Sequence, residues 1–204
     1  VKMTSMPELV GAFNGFGGGA SALVAAAEFS RIQAGGLPLE TSTGAVIALS
    51  LLSGTVSCSG SFVAFGKLNG TVTGNPVTYP GDKFVNALLF LAIIALGVMI
   101  AIGATAAGFG PMAIFLALAV LAFVIGILLV IPIGGADMPV VISLLNSYSG
   151  LAASAAGFVV GNMVLIISGA LVGAAGLFLT FLMCKAMNRS LANVLFGAFG
   201  QEGG

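Results

Sequence analysis

The sequence predicts an all-α protein, a polytopic bundle of six transmembrane helices, on three observations. Of its 204 residues, 59% are hydrophobic and 6% are charged, where soluble domains carry about 25% charge. Mean hydropathy is correspondingly high, at +1.20. The few charges bound long uncharged runs. A helix rising about 1.5 Å per residue needs roughly 20 apolar residues to cross about 30 Å of hydrocarbon, so those runs have room for six spans.

Residues 9–27 and 41–66 carry no charge, and each holds one span. The uncharged stretches 84–136 and 138–184 each hold two. The first divides at Gly103 to Pro111 (GATAAGFGP) and the second at Gly157 to Asn162 (GFVVGN), where Gly, Pro and Asn supply turns and helix starts. The expected helices are therefore about 7–29, 44–66, 83–103, 111–132, 139–158 and 162–187. Pro7, Pro111 and Pro139 each stand at a first helical turn, where a missing N–H costs nothing. Residues 1–189 form a transmembrane domain, and 190–204 (SLANVLFGAFGQEGG) an amphipathic turn and Gly-rich linker to which a further domain is expected to attach. The opening VKMTSMPELV lacks the pattern of a signal peptide and reads as a cut into a longer protein.

Lys2, Lys67, Lys83, Lys185 and Arg189 fall on the side of the N-terminus, and Arg31 alone on the other. Positive charge concentrates in cytoplasmic loops, so both chain ends are expected in the cytoplasm. Lys plus Arg balance Asp plus Glu at six each, and His and Trp are absent, which leaves neither a nucleic-acid footprint nor a histidine metal site. Cys58 and Cys184 lie in apolar segments and suggest no disulfide framework. GFGGGA from Gly15 lies inside a membrane helix with no strand before it, so it is no dinucleotide fingerprint. Asn69-Gly-Thr71 and Asn188-Arg-Ser190 are glycosylation sequons in letters only, because both fall on the cytoplasmic side.

A parallel internal repeat relates helices 1–2 to helices 5–6. MPELVGAFNGFGGGASA from Met6 and MPVVISLLNSYSGLAAS from Met138 align Asn14 with Asn146 and Gly18 with Gly150, and GSFVAF from Gly60 echoes GLFLTF from Gly176. Sites near the midplane tend to form where such repeats meet. Both Asn residues follow their proline by seven positions, roughly 10 Å below the surface, and Ser61 lies roughly 8 Å deep on the second helix. Asn14, Asn146 and Ser61 thus form one polar level. Ser50, Ser53, Ser57 and Ser61 make a hydroxyl stripe, and Ser143, Ser147, Tyr148 and Ser149 add hydroxyls on the fifth helix. Such hydroxyls commonly glue helices, and Gly11, Gly15 and Gly19, with Gly169 and Gly173, read as close-contact faces.

MTSMPELV, GSFVAFGKL, IGGADMPVVISLLNSYSG, GALVGAAG and MCKAMNRSLANV together closely resemble the membrane domain of the beta subunit of proton-translocating NAD(P) transhydrogenase, over essentially the whole chain. The resemblance implies a partner alpha subunit bringing membrane helices and the NAD(H)-binding domain, an NADP(H)-binding domain following this chain, and a homodimer of alpha–beta units in a bacterial inner membrane. Hydride would pass between NAD(H) and NADP(H) in soluble domains while this bundle moves protons; the fragment alone would bind neither nucleotide and catalyse no hydride transfer. Ser61 and Asn146 match channel-lining residues, and Asp137, Lys185 and Arg189 match residues near the NADP(H)-binding domain. Asn14 matches a position that is histidine in some members. Asn and Ser do not titrate near pH 7, so the titrating group is expected in the alpha subunit's helices or in helices preceding this segment. The residues alone leave two other functions open: a small secondary transporter, or a membrane anchor for a nucleotide-binding domain. Asp137 also has a local reading, as the cap of the fifth helix.

Overall fold

The computed structural model describes residues 5–78, 81–104 and 108–196. Lys2, part of the third connection and the end of the tail from residue 197 lie outside them, as does the side chain of Lys83. The described residues form α1 (Met6–Ala34), α2 (Thr41–Leu68), α3 (Asp82–Ala101), α4 (Pro111–Val130), α5 (Met138–Val160), α6 (Met163–Ala186) and α7 (Leu191–Phe196), with a 3-10 turn at Gly135–Asp137 before α5. There is no strand among them, and the first six helices are long and apolar enough to cross a membrane.

The spans fall where the uncharged runs place them, with shifted ends. α1 continues beyond residue 29 because the polar residues at its end remain helical; Arg31 Nε donates to Glu28 Oε2 at 2.8 Å across one turn. Pro7, Pro111 and Pro139 occupy first turns. At the α5–α6 hairpin, Gly161 takes φ +67 and its N–H returns to Gly157 and Phe158 carbonyls, which ends α5. Asn162 then accepts from Leu165 N at 3.1 Å and starts α6.

α2 and α5 are the inner helices. α2 contacts α1, α3, α4 and α5, while α5 contacts α1, α2 and α6. α3 and α6 lie outside and expose Phe84, Leu91, Val164, Leu171 and Phe178, as expected of surfaces meeting lipid rather than water. Two apolar cores fill the ends of the bundle. One, towards the Arg31 end, includes Phe29 stacked on Phe115 at 4.5 Å with Ile47, Leu51 and Leu118. The other, towards the Asp137 end, gathers Ala64, Val130, Met138, Val141, Leu145 and Cys184, and Val194 of α7 seats the tail against it.

Between the cores the helices approach through glycine. A Cβ on Gly18 would stand 2.7 Å from Gly54 O, and one on Gly54 2.6 Å from Gly18 O. The tightest α1–α2 contact is thus at Gly18, seven residues from Gly11 on the expected face, and Gly11, Gly15 and Gly19 also face α2, towards Ser61 and Phe65, Phe62 and Cys58, and Cys58 respectively. Gly150 and Gly169 do the same for α5 and α6, each with no room for a Cβ against the opposing backbone.

Close approach brings carbonyls within reach of hydroxyls. Ser143, Ser147 and Ser154 donate to the carbonyls of Gly176, Gly173 and Ile166 at 3.0, 2.7 and 3.0 Å, fastening α5 to α6. Ser50 and Ser57 donate to Ala152 and Leu145 carbonyls, fastening α2 to α5. These five serines are helix glue.

Candidate functional site

Ser61 and Ser149 behave differently from the serines that fasten backbones. Asn14 Nδ2 donates to Ser61 Oγ at 2.8 Å, and Ser149 Oγ donates to Asn14 Oδ1 at 2.5 Å and lies 2.9 Å from Asn146 O. The three side chains come from α1, α2 and α5 and are 8%, 0% and 9% exposed for Asn14, Ser61 and Ser149. Their hydrogen bonds have a direction. Ser149 gives its hydrogen to the amide oxygen and the amide nitrogen gives one to Ser61, so the Ser61 hydroxyl keeps its own hydrogen to pass onward. The glycine contact at Gly18, one turn along α1 from Asn14, brings α1 near enough to α2 for this bond.

Asn14 and Ser61 meet as their equal depths suggest. Asn146 does not join them. Its place beside Asn14 is taken by Ser149, one turn deeper on α5, so α5 is set along its axis relative to α1. Equal residue counts from each proline therefore do not give equal level. Asn146 contributes its backbone carbonyl, and its half-buried side chain has no hydrogen-bond partner among the described residues. Three and four residues on from it, Ser149 and Gly150 line a groove of about 210 Å³ between α1, α5 and α6, with Gly17, Ala153, Ser168, Gly169 and Val172. Asn146 lies one turn from them on the same face. The Asn14 chain therefore reaches an open face of the bundle.

A second polar cluster lies at the end of the bundle. Just past the end of α6, Asn188 takes a φ of +53, tolerated by asparagine, and turns the chain back. Arg189 then donates from Nη1 to Asp137 Oδ1 and Oδ2 at 2.8 and 2.6 Å. Asp137 precedes α5 but makes no side-chain capping bond, which sets aside its reading as a helix cap: its carboxylate faces Arg189 instead. Lys185 is exposed in the last turn of α6 and forms no ion pair among the described residues.

No group of three or more metal-ligating residues occurs among the described residues. The described cations are largely engaged, Arg31 with Glu28, Arg189 with Asp137 and Lys67 with backbone carbonyls. A nucleotide pyrophosphate does not fit what these residues offer: no strand leads into a glycine turn and helix start, and of the described cations only Lys185 is free of a protein partner.

The family model for the NAD(P) transhydrogenase beta subunit matches residues 1–204. Two curated proteins from Rhodospirillum rubrum, each called NAD(P) transhydrogenase subunit beta, are 47% identical to this chain over 211 residues, covering all of it and 44% of their own length. The chain belongs to the NAD(P) transhydrogenase beta subunit family. It spans less than half the length of the transhydrogenase beta subunits it matches.

Within this stretch of a transhydrogenase beta subunit, sequence reasoning missed two residues. Ser149 was one hydroxyl in a run of several, and only the offset between α1 and α5 separates it from its neighbours. Lys67 entered only as one of the charges on the N-terminal side, yet it is buried; a lysine one residue from a helix end carries no sign of which way it turns.

Proposed function

We propose that this chain is the proton-conducting membrane part of a proton-translocating NAD(P) transhydrogenase, coupling transmembrane proton movement to hydride transfer between NAD(H) and NADP(H) bound in soluble domains outside it. The observation that carries the reading is the buried Asn14–Ser61–Ser149 chain in a bundle of this family. Inside hydrocarbon a polar side chain without partners costs several kcal/mol or so, and here polar side chains from three helices bond to each other rather than to the nearest backbone. Asn146 extends the layer towards the Asp137 end, where its amide is available to a water file or to a helix of a partner subunit. Neither Asn nor Ser takes up a proton near neutral pH, so their work is to orient water and pass hydrogen bonds. The titrating group belongs to the alpha subunit or to helices preceding this segment.

In this reading the Asp137 end faces the cytoplasm of a bacterium, in the inner membrane, and the NADP(H)-binding domain follows α7 there. Asp137, Arg189 and the free Lys185 are the charges that sense it. An ion pair as exposed as Arg189 with Asp137 contributes roughly 0.2–1 kcal/mol. A contact that weak can open and close with the docked domain's state. The partners are the alpha subunit and a second alpha–beta unit.

The complete alpha–beta enzyme, reconstituted in vesicles with a pH-sensitive dye inside, tests the proposal. Driving hydride transfer from NADPH to an NAD analogue should change luminal pH in proportion to the hydride moved. Hydride transfer with no pH change in sealed vesicles would refute it.

A further inference from the structure

Lys67 ends a span with its charge turned inwards. Its residue is 4% exposed, and Nζ donates to the carbonyl oxygens of Ile131, Ile133 and Asn75 at 2.5, 2.8 and 3.3 Å. An ammonium has three hydrogens, and all three are used. It has no carboxylate partner among the described residues. The acceptors come from two different connections. Ile131 and Ile133 flank Pro132 just past the end of α4, where helix carbonyls lack intrahelical donors and carry the negative end of the helix dipole. Asn75 belongs to the loop after α2. The two connections are also joined directly, Gly135 N to Gly74 O at 2.8 Å and Val77 N to Ile131 O at 3.3 Å.

The position of this cluster matters more than its strength. Along α2, Lys67 is six residues from Ser61, roughly 9 Å on the same rigid helix. Along the chain, Ile133 is followed within four residues by Asp137, whose carboxylate holds Arg189. One side chain therefore joins the helix carrying the buried polar chain to the segment carrying the surface ion pair.

We propose that Lys67 is a positioning residue for coupling: its ammonium, set among the Ile131, Ile133 and Asn75 carbonyls, braces α2 against the Asp137 segment, so that a shift of that segment displaces Ser61. The proposal rests on the proton-conducting reading above and adds a route between its two clusters. Charge and three donors are what the brace requires. Met in place of Lys keeps the unbranched bulk and removes both, whereas Arg keeps the charge on a wider, planar head that still reaches carbonyls.

The test uses the complete alpha–beta enzyme in sealed vesicles and reads protons moved per hydride transferred in wild type, Lys67→Met and Lys67→Arg. In Lys67→Met the ratio should fall about tenfold, within the range of ordinary coupling energies, while hydride transfer continues. Lys67→Arg should recover most of the ratio. A purely structural lysine would lower the amount of assembled enzyme and leave the ratio of the assembled fraction unchanged, and that result would overturn the proposal. If wild type moves no protons, the proton-conducting reading fails and the brace with it; if wild type pumps and Lys67→Met pumps at the same ratio, only the brace fails. Should Lys67→Met not assemble, hydrogen exchange of segments 73–78 and 131–137 in wild type decides. Protection that changes when NADP(H) is added supports the brace, and protection indifferent to the nucleotide overturns it.

Discussion

Three adjacent glycines in α1 offer a graded test of how the buried polar chain is held. Gly18→Ala places a Cβ 2.7 Å from Gly54 O, 2.9 Å from Ser57 Cβ and 3.0 Å from Cys58 N. Two of those atoms are backbone, so relief requires the helices to part, by roughly 0.7 Å to regain ordinary contact at 3.4 Å. Asn14 lies one turn away, and adding that displacement to its 2.8 Å bond with Ser61 brings the pair to about 3.5 Å, the limit of a hydrogen bond. Overpacking of this kind costs about 1–3 kcal/mol and the weakened bond about 1 kcal/mol. Together these amount to a fall in melting temperature of roughly 5–15 °C on the scale of soluble domains of this size. Gly19→Ala meets only the flexible Cys58 side chain, with Sγ at 3.2 Å, and Gly17→Ala meets nothing within 4 Å. Gly17→Ala should be neutral or slightly stabilising, since Ala is the better helix former by up to about 1 kcal/mol. The assay is thermal unfolding of the purified chain in detergent, followed by circular dichroism or dye labelling of Cys184. Equal melting temperatures for Gly18→Ala and Gly17→Ala would refute the claim that α1 and α2 meet at Gly18.

Ser149→Ala removes the hydrogen that Asn14 Oδ1 accepts and leaves that oxygen buried without it, a loss of about 1–3 kcal/mol, and proton movement by the complete enzyme in vesicles should drop with it. Ser147→Ala loses only the bond to Gly173 O, about 0.5–1.5 kcal/mol; it should lower thermal stability and leave the protons moved per hydride unchanged, and equal pumping defects in the two variants would contradict the distinction between path and glue. Asp137→Asn should alter stability by less than about 1 kcal/mol, as expected of an exposed pair, yet change NADP(H) affinity of the complete enzyme about fivefold or more; calorimetric titration showing unchanged affinity would reduce the pair to a surface contact.

The spans were legible because membrane thickness sets a length that uncharged runs must meet, and proline and glycine punctuate those runs. Helix ends were less so: polar residues such as Glu28 and Arg31 continue a helix past the apolar stretch that announces it. The pairing of Asn14 with Ser61 could be reached by counting residues from each surface. Counting failed for Asn146 because Ser149, one turn further along α5, is the residue that meets Asn14, and a residue count from each proline does not contain the axial offset between α1 and α5. Lys67 and Asp137 show the same limit. The first counted only towards orientation and the second also read as a helix cap, and only packing reveals that one turns into the bundle and the other turns to Arg189.

The central claim, that the layer around Asn14 carries protons, is tested most directly at Asn146. Its side chain has no hydrogen-bond partner among the described residues, so Asn146→Leu breaks no side-chain hydrogen bond among them while deleting an amide from the proposed path. In the complete alpha–beta enzyme, reconstituted and assayed for luminal pH change, the variant should assemble and melt like wild type while proton movement, and the hydride turnover tied to it, falls to background. Wild-type pumping by a stable Asn146→Leu enzyme would contradict the account.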